Sequence, residues 1–267
     1  MIAESLRRLR TAAYRVASPA DALARRLAGR PELPPLWLRR HTGAVARFES
    51  AARETAAFLD SLGLVEPDHL VLDVGCGAGA MVPELARRIG PRGRYVGFDV
   101  HAPSIRWCRR RFAGDGRLSF EDARVASPYG RATGPEATTY RFPVEDGAAD
   151  LILAKSVFTH LLPEEATHYL GEIRRSLRPG RTAVVTAFLF DPSAPELGGV
   201  HRAFPWEDRG GLVRWRLRAR PSAAVAYAKP FFETLLAAAG LRLSWLSPGW
   251  YPGSDRLAGQ DSLLVGH

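Results

Sequence analysis

The sequence predicts an α/β protein: a mostly parallel sheet with helices on both faces that finishes in an antiparallel hairpin. Three observations carry this. From about residue 70, short apolar runs alternate with amphipathic stretches of helical period, the pattern of a parallel sheet covered on both sides. The first run, "LVLDV", breaks directly into glycines at 75, 77 and 79. Near the other end "LRLSWL" and "DSLLVGH" follow one another with no helix between them, and such strands pair antiparallel because parallel pairing needs a long crossover.

Composition agrees with a chain that buries a full core: 267 residues, 46% of them hydrophobic. Cys76 and Cys108 stand far apart with no further thiol, so neither a disulfide framework nor a zinc site is indicated and a reducing cytoplasm is expected. No apolar run reaches the roughly 18 residues of a spanning helix, and the N-terminus lacks the apolar region of a secretory signal. A net charge of +9 would attract nucleic acid, anionic lipid or acidic substrates. Yet arginine supplies all but two of the 37 basic residues, the exceptions being Lys155 and Lys229, which reads more simply as a compositional habit of the source genome.

Residues 1–30 read as a basic amphipathic helix, with Ile2, Leu6, Leu9, Ala13 and Val16 at three- and four-residue steps. Packing on the body is the simpler expectation; peripheral contact with a membrane or a partner is the alternative. Proline-rich "RPELPPLW" separates this arm, residues 1–40, from a domain spanning 41–267. A second helical face, Phe48, Ala52, Ala56, Leu59 and Leu62, stops at Gly63. Strand Leu70 to Val74 is followed by a helix striped by Met81, Val82, Leu85 and Ile89. "RYVGFDV" is the second strand, Pro103 to Phe112 the next helix, and "RLSFED" the third strand.

Residues 123–140 show no periodicity, and a structureless loop of that length is usually a lid or binding loop. "ADLILAKSV" is strand four, and Pro163 opens a helix with Glu164 and Glu165 in its first turn, where proline's φ and the helix dipole favour them. "RPG" closes that helix and "RTAVVTAFLF" is strand five. A second insertion, about 191–228, contains "VRWRLRAR", read as a strand with Arg214, Arg216, Arg218 and Arg220 on one face. "PFFETLLAAAG" is a helix stopped by Gly240, and the two final strands follow.

A strand that ends in closely spaced glycines and opens a helix lets backbone approach a ligand, with free N–H groups at the helix start. Gly75, Gly77 and Ala80 alone satisfy the dinucleotide fingerprint. Asp73 argues against a dinucleotide, because a carboxylate two residues before the first glycine repels pyrophosphate and welcomes an ammonium. S-adenosylmethionine carries an ammonium and a sulfonium and no phosphate. Asp99, about twenty residues beyond the glycines, is placed for ribose hydroxyls, and Asp122 for an adenine amino group. The plainer alternative is that these acids cap turns.

On these residues the chain resembles the class I S-adenosylmethionine-dependent methyltransferases, chiefly bacterial small-molecule ones. "VLDVGCGAG" matches their first motif, "YVGFDV" the acidic end of strand two, "ADLILAKSVFTHLLP" the fourth-strand motif and "YLGEIRRSLRPG" the helix and turn before strand five. Shorter likenesses lie in "GFDVHAPSIRWC" and "GQDSLLVG". The resemblance implies a Rossmann-like, seven-stranded sheet. It also implies a cofactor pocket made by Asp73, Gly75, Cys76, Gly77, Gly79, Asp99, Val100, Asp122, Ala123, Lys155 and Ser156. Arg181 departs from it where a second glycine is common, leaving that turn to Gly180, and Ala80 stands where arginine is frequent.

Methyl transfer from a sulfonium is an in-line displacement that needs alignment and no metal, and an alcohol acceptor also needs a base. His160, just past strand four, is the candidate base, although a histidine before two leucines often only packs. His201, Glu207 and Asp208 are weaker candidates, and Trp206, Tyr227, Trp250 and Tyr251 are candidate pocket aromatics. The expected acceptor is a small-molecule hydroxyl on a sugar, glycolipid or natural product. A nucleic-acid acceptor is disfavoured, since "AKSVF" lacks an "NPPY"-like motif and a nucleophilic cysteine. A catalytically silent cofactor-binding partner protein is a further rival, and a dehydrogenase is opposed by Asp73.

Overall fold

The apolar runs become the parallel centre of one sheet in the computed structural model, which describes residues 2–30, 32–41, 45–193, 203–247, 249 and 260–267. β1 (Leu70–Val74) lies between β2 (Arg94–Asp99) and β4 (Ala149–Ala154), both parallel to it. β3 (Leu118–Asp122) flanks β2, and β5 (Leu177–Phe190) flanks β4. The predicted hairpin closes the chain: β10 (Asp261–Gly266) runs antiparallel to β5, and β9 (Arg242–Ser247) antiparallel to β10. Strand order reverses between β1 and β4, so their carboxyl ends frame the crevice in which open α/β sheets bind ligands.

β4 is buried at every position because helices cover both of its faces. On one side Ala52, Ala56 and Leu59 of α3 (Ser50–Ser61), Val82 and Leu85 of α4 (Val82–Ala86) and Ile105 of α5 (Ala102–Arg111) cluster with Val71, Leu153 and Val184. On the other, Tyr169, Leu170 and Ile173 of α6 (Pro163–Ser176) join Phe232 and Leu236 of α7 (Lys229–Ala238) over Leu72, Ile152 and Val185. Gly63 and Gly240, just past α3 and α7, have φ of +63° and +72°, the left-handed conformation that ends helices. The N-terminal helix α1 (Ile2–Leu27) runs through Pro19, and its Asp21 is held between Arg25 and Arg39 of α2 (Leu36–His41). No helix among the described residues is long and apolar enough to cross a membrane.

Among the described residues the sheet has ten strands where seven were expected. β5 outruns its neighbours: β4 pairs with it as far as Val185 and β10 as far as Ala187. Its last residues, 188–190, pair with β8 (Val225–Ala228), which continues into β7 (Val213–Trp215) and β6 (Trp206–Asp208). Where the β10 ladder stops, the buried Asp261 side chain takes over, accepting the Leu189 N–H at 2.8 Å and the Gly249 N–H at 2.9 Å. Asp261→Ala strands both donors and is expected to cost about 2–6 kcal/mol, at about 1–3 kcal/mol per unsatisfied buried group. A urea midpoint unchanged by that substitution would contradict the role.

Two local expectations change. "RPG" lies inside β5, not between helix and strand: the strand starts at Leu177, and its register with β4 shifts between Ala149 and Leu151. Gly180 does supply the turn alone, at φ +79°, and Arg181 pairs with Glu66 and Asp150. The 123–140 segment is an ordered strap, not a structureless loop. Ser127 N–H donates to Arg131 O at 2.8 Å, Ala126 N–H to Pro135 O at 2.9 Å, and residues 137–139 form a 3-10 turn.

Candidate active site

β1 leads into a turn in which Gly75, Gly77 and Gly79 all have positive φ, +72°, +55° and +75°. A Cβ at Gly75 would lie 2.6 Å from Val157 Cγ2, so the segment after β4 rests directly on this turn. The Gly75 and Cys76 N–H groups both donate to Phe98 O, at 2.9 and 3.0 Å, which stitches the turn to the end of β2. The following helix, α4, has only five residues, so the turn, and not a long helix dipole, shapes this end of the crevice. Cys76 is a buried wall whose thiol pKa burial pushes up, leaving it inert.

The three predicted acids meet different partners. Asp73 is buried and accepts the Tyr95 hydroxyl at 2.6 Å; desolvation outweighs that bond and raises its pKa to about 7. Asp99 accepts the Gly77 N–H at 2.8 Å and the His101 N–H at 2.7 Å. Asp122 accepts the Arg124 N–H and pairs with Arg131 of the strap at 2.7 Å. Beside it Ala123 is buried, its N–H on Asp99 O, and a Cβ at Gly130 would lie 2.2 Å from Val100 O. The strap therefore folds over the ends of β2 and β3.

Asp73, Thr55, Met81, Lys155, Thr186 and Ser262 share one cavity under α3. Lys155 is turned toward α3, donating to Thr55 Oγ1 at 2.7 Å and Ala51 O at 3.2 Å, and burial lowers its pKa. Ser156, at φ +58°, donates its N–H to Thr186 Oγ1 and its hydroxyl to Gln260 Oε1. Thr186 bonds the same amide oxygen at 2.6 Å. Ser262 Oγ is buried with no hydrogen-bond partner among the described residues.

His160 follows Val157 by one turn, its N–H on Val157 O at 2.9 Å. Its Nδ1 is 3.2 Å from Ser222 O and 3.0 Å from the Tyr129 hydroxyl. A carbonyl can only accept, so the assigned tautomer carries hydrogen on Nδ1 and leaves a lone pair on Nε2. Burial holds the imidazole pKa below its usual value; the Ser222 and Ala223 carbonyls oppose this, and the charges of Arg216 and Arg220 add to it. The loop is braced on either side, by Val225 N–H on Thr159 O at 2.8 Å and by the Tyr227 hydroxyl on Leu161 O at 2.6 Å.

Other sequence candidates lie elsewhere. Tyr227 is fully buried in the core. Trp206 is 42% exposed beneath Arg218. Glu207 pairs with Arg214 and Asp208 is exposed, both on the β6 edge strand. His201, Trp250 and Tyr251 lie outside the described residues. The "VRWRLRAR" strand ends at Trp215, and its arginines lie over aromatic rings: Arg214 over Phe190, Arg216 over Phe204 and Arg218 over Trp206. Sequence reasoning missed Tyr95, Tyr129 and Gln260, whose partners are distant in the chain and carry no periodic signal.

Residues 71–180 match the methyltransferase domain family. The fold around this stretch is like that of solved methyltransferases. The ubiquinone/menaquinone biosynthesis C-methyltransferase of Hydrogenovibrio crunogenus is 28% identical over 124 residues, 46% of this chain and 44% of that protein. Nocamycin O-methyltransferase of Saccharothrix syringae is 49% identical over 47 residues, 17% of each chain. Geranyl diphosphate C-methyltransferase of Streptomyces coelicolor A3(2), solved with Mg2+, geranyl diphosphate and S-adenosyl-L-homocysteine, superposes with a TM-score of 0.56 at 16% identity, covering 86% of this chain and 82% of that one. The chain spans less than half the length of the curated relatives it matches.

Proposed function

We propose that this chain transfers the methyl group of S-adenosylmethionine to a hydroxyl of a small molecule, a sugar, glycolipid or natural product, with His160 as general base. The observation that carries the reading is the buried imidazole whose Nδ1 faces Ser222 O, in a loop seated on the Gly75 turn. Its lowered pKa keeps Nε2 unprotonated at neutral pH.

The pocket residues fit the cofactor. Side chains are excluded at Gly75 by Val157, and the Ser262 hydroxyl in the Asp73 cavity has no protein partner among the described residues. In this reading Asp73 takes the methionine ammonium, Asp99 the ribose and Asp122 the adenine amino group once Arg131 yields it. Gly75, Cys76, Gly77 and Gly79 supply the close backbone, Val100 and Ala123 the walls, and Lys155 and Ser156 the β4 side. When bound, the sulfonium supplies an activated methyl group with a neutral leaving group. His160 Nε2 accepts the acceptor's hydroxyl proton, and the strap and the β4 loop exclude water.

The test offers methyl-labelled S-adenosylmethionine and a panel of hydroxylated small molecules to the native chain and to His160→Ala. Label is expected on oxygen, with turnover about 100-fold lower in the variant and cofactor affinity within about twofold. Equal turnover removes His160 from the mechanism, and label on carbon or nitrogen overturns the hydroxyl acceptor.

A further inference from the structure

Residues 216–224, "RLRARPSAA", form a turn that touches His160 and carries three arginines and no acid. Its backbone is the wall that fixes the base. Ser222 O faces Nδ1, and Ala223 O lies 3.2 Å from the Tyr129 hydroxyl that also meets Nδ1. The turn is closed by its own bonds, Arg216 N–H to Ala224 O at 3.1 Å and Ala223 N–H to Arg220 O at 3.0 Å. Arg220 O thus stands one hydrogen bond from Ala223, whose carbonyl borders His160.

Two of the side chains are held in place without being neutralised. The Arg216 guanidinium lies 5.2 Å from the centroid of Phe204, a fully buried ring, and that of Arg218 lies 5.3 Å from the centroid of Trp206. Stacking restrains a planar cation while leaving its N–H edge open to an oxyanion. Among the described residues neither has a carboxylate partner, whereas the adjacent Arg214 is taken by Glu207. The Arg216 and Arg220 charges also reach the His160 ring, so this side of the crevice is electropositive.

We infer that Arg216 and Arg218 form an oxyanion subsite beside His160, so that the methyl acceptor is a small hydroxylated acid bearing a carboxylate or a phosphate. This rests on the proposed reading of the His160 side as the acceptor end. The acid docks on the turn, and its hydroxyl is thereby presented to the imidazole.

The test titrates the full chain, saturated with S-adenosylhomocysteine, with citrate and separately with inorganic pyrophosphate, by calorimetry at constant ionic strength. The first arm reports carboxylate recognition and the second phosphate. Saturable binding of at least one anion is expected, weakened at least tenfold in the Arg216→Ala/Arg218→Ala variant. It should be unchanged in Arg92→Ala, which removes an exposed arginine paired with Asp68, and partly kept in Arg216→Lys/Arg218→Lys. No saturable binding to the native chain, or equal binding by the alanine variant, overturns the subsite. Retained S-adenosylhomocysteine binding shows that a variant is folded. Failure of the native chain to bind that nucleoside sinks the methyltransferase reading itself, which is a separate outcome.

Discussion

Asp73→Asn is expected to bind S-adenosylmethionine about 100-fold more weakly than the native chain, the effect of truncating one partner of a buried charge pair, and to lose the pH dependence of binding. The carboxyl is buried beside the Tyr95 hydroxyl, and burial raises its pKa to about 7. Only the ionised form pairs with an ammonium. Below pH 7 the native affinity should therefore fall about tenfold per pH unit, since one pKa unit corresponds to a factor of ten, and it should level off above.

Stability without ligand runs the other way. An acid whose folded pKa is raised keeps its proton where the unfolded chain has released it, so this group's contribution is lost as the pH rises from about 4 to about 7, and the loss is then constant. Calorimetry between pH 5.5 and 8.5 checks the first trend and urea unfolding the second. A native affinity that is flat across pH 7 would separate Asp73 from the ammonium.

Gly75→Ala is expected to abolish cofactor binding and to cost about 2–5 kcal/mol of stability. Two causes add. A left-handed backbone disfavours any side chain by about 1–2 kcal/mol, and the new Cβ would sit 2.6 Å from Val157 Cγ2, an overpacking of about 1–3 kcal/mol. Gly63→Ala separates them, because Gly63 has φ +63° with nothing within 4 Å of a built Cβ, so only the backbone penalty applies. Equal urea midpoints for the two variants would show that the β4 loop yields freely and is not seated on the turn.

The strands that frame the crevice were legible because each is a run of apolar residues long enough to show its period, and the helices because they carry both a stripe and an end signal. α6 begins at Pro163, and Gly63 and Gly240 follow α3 and α7 at the predicted stops. β6 and β8 escaped, and β7 is only the first three residues of the strand read over "VRWRLRAR", because strands of three or four residues have no period to read and these pair only because β5 extends past β4 and β10. The strap escaped for a related reason. Its order comes from Ser127, Gly130 and Arg131 meeting their own backbone, Val100 and Asp122.

Residue order by itself determined the parallel sheet, its terminal hairpin, the glycine turn and the three acids on which the reading of a cationic nucleoside rests, since these depend on local period and on which charge stands at which strand end. Tertiary structure alone decided that Tyr129 meets His160 across 31 positions, that Ser156 meets Gln260 across 104, and that Lys155 turns to α3. The reason is physical: a hydrogen bond between side chains depends on where the packed elements deliver them, and contacts between distant residues leave no repeating trace in the chain.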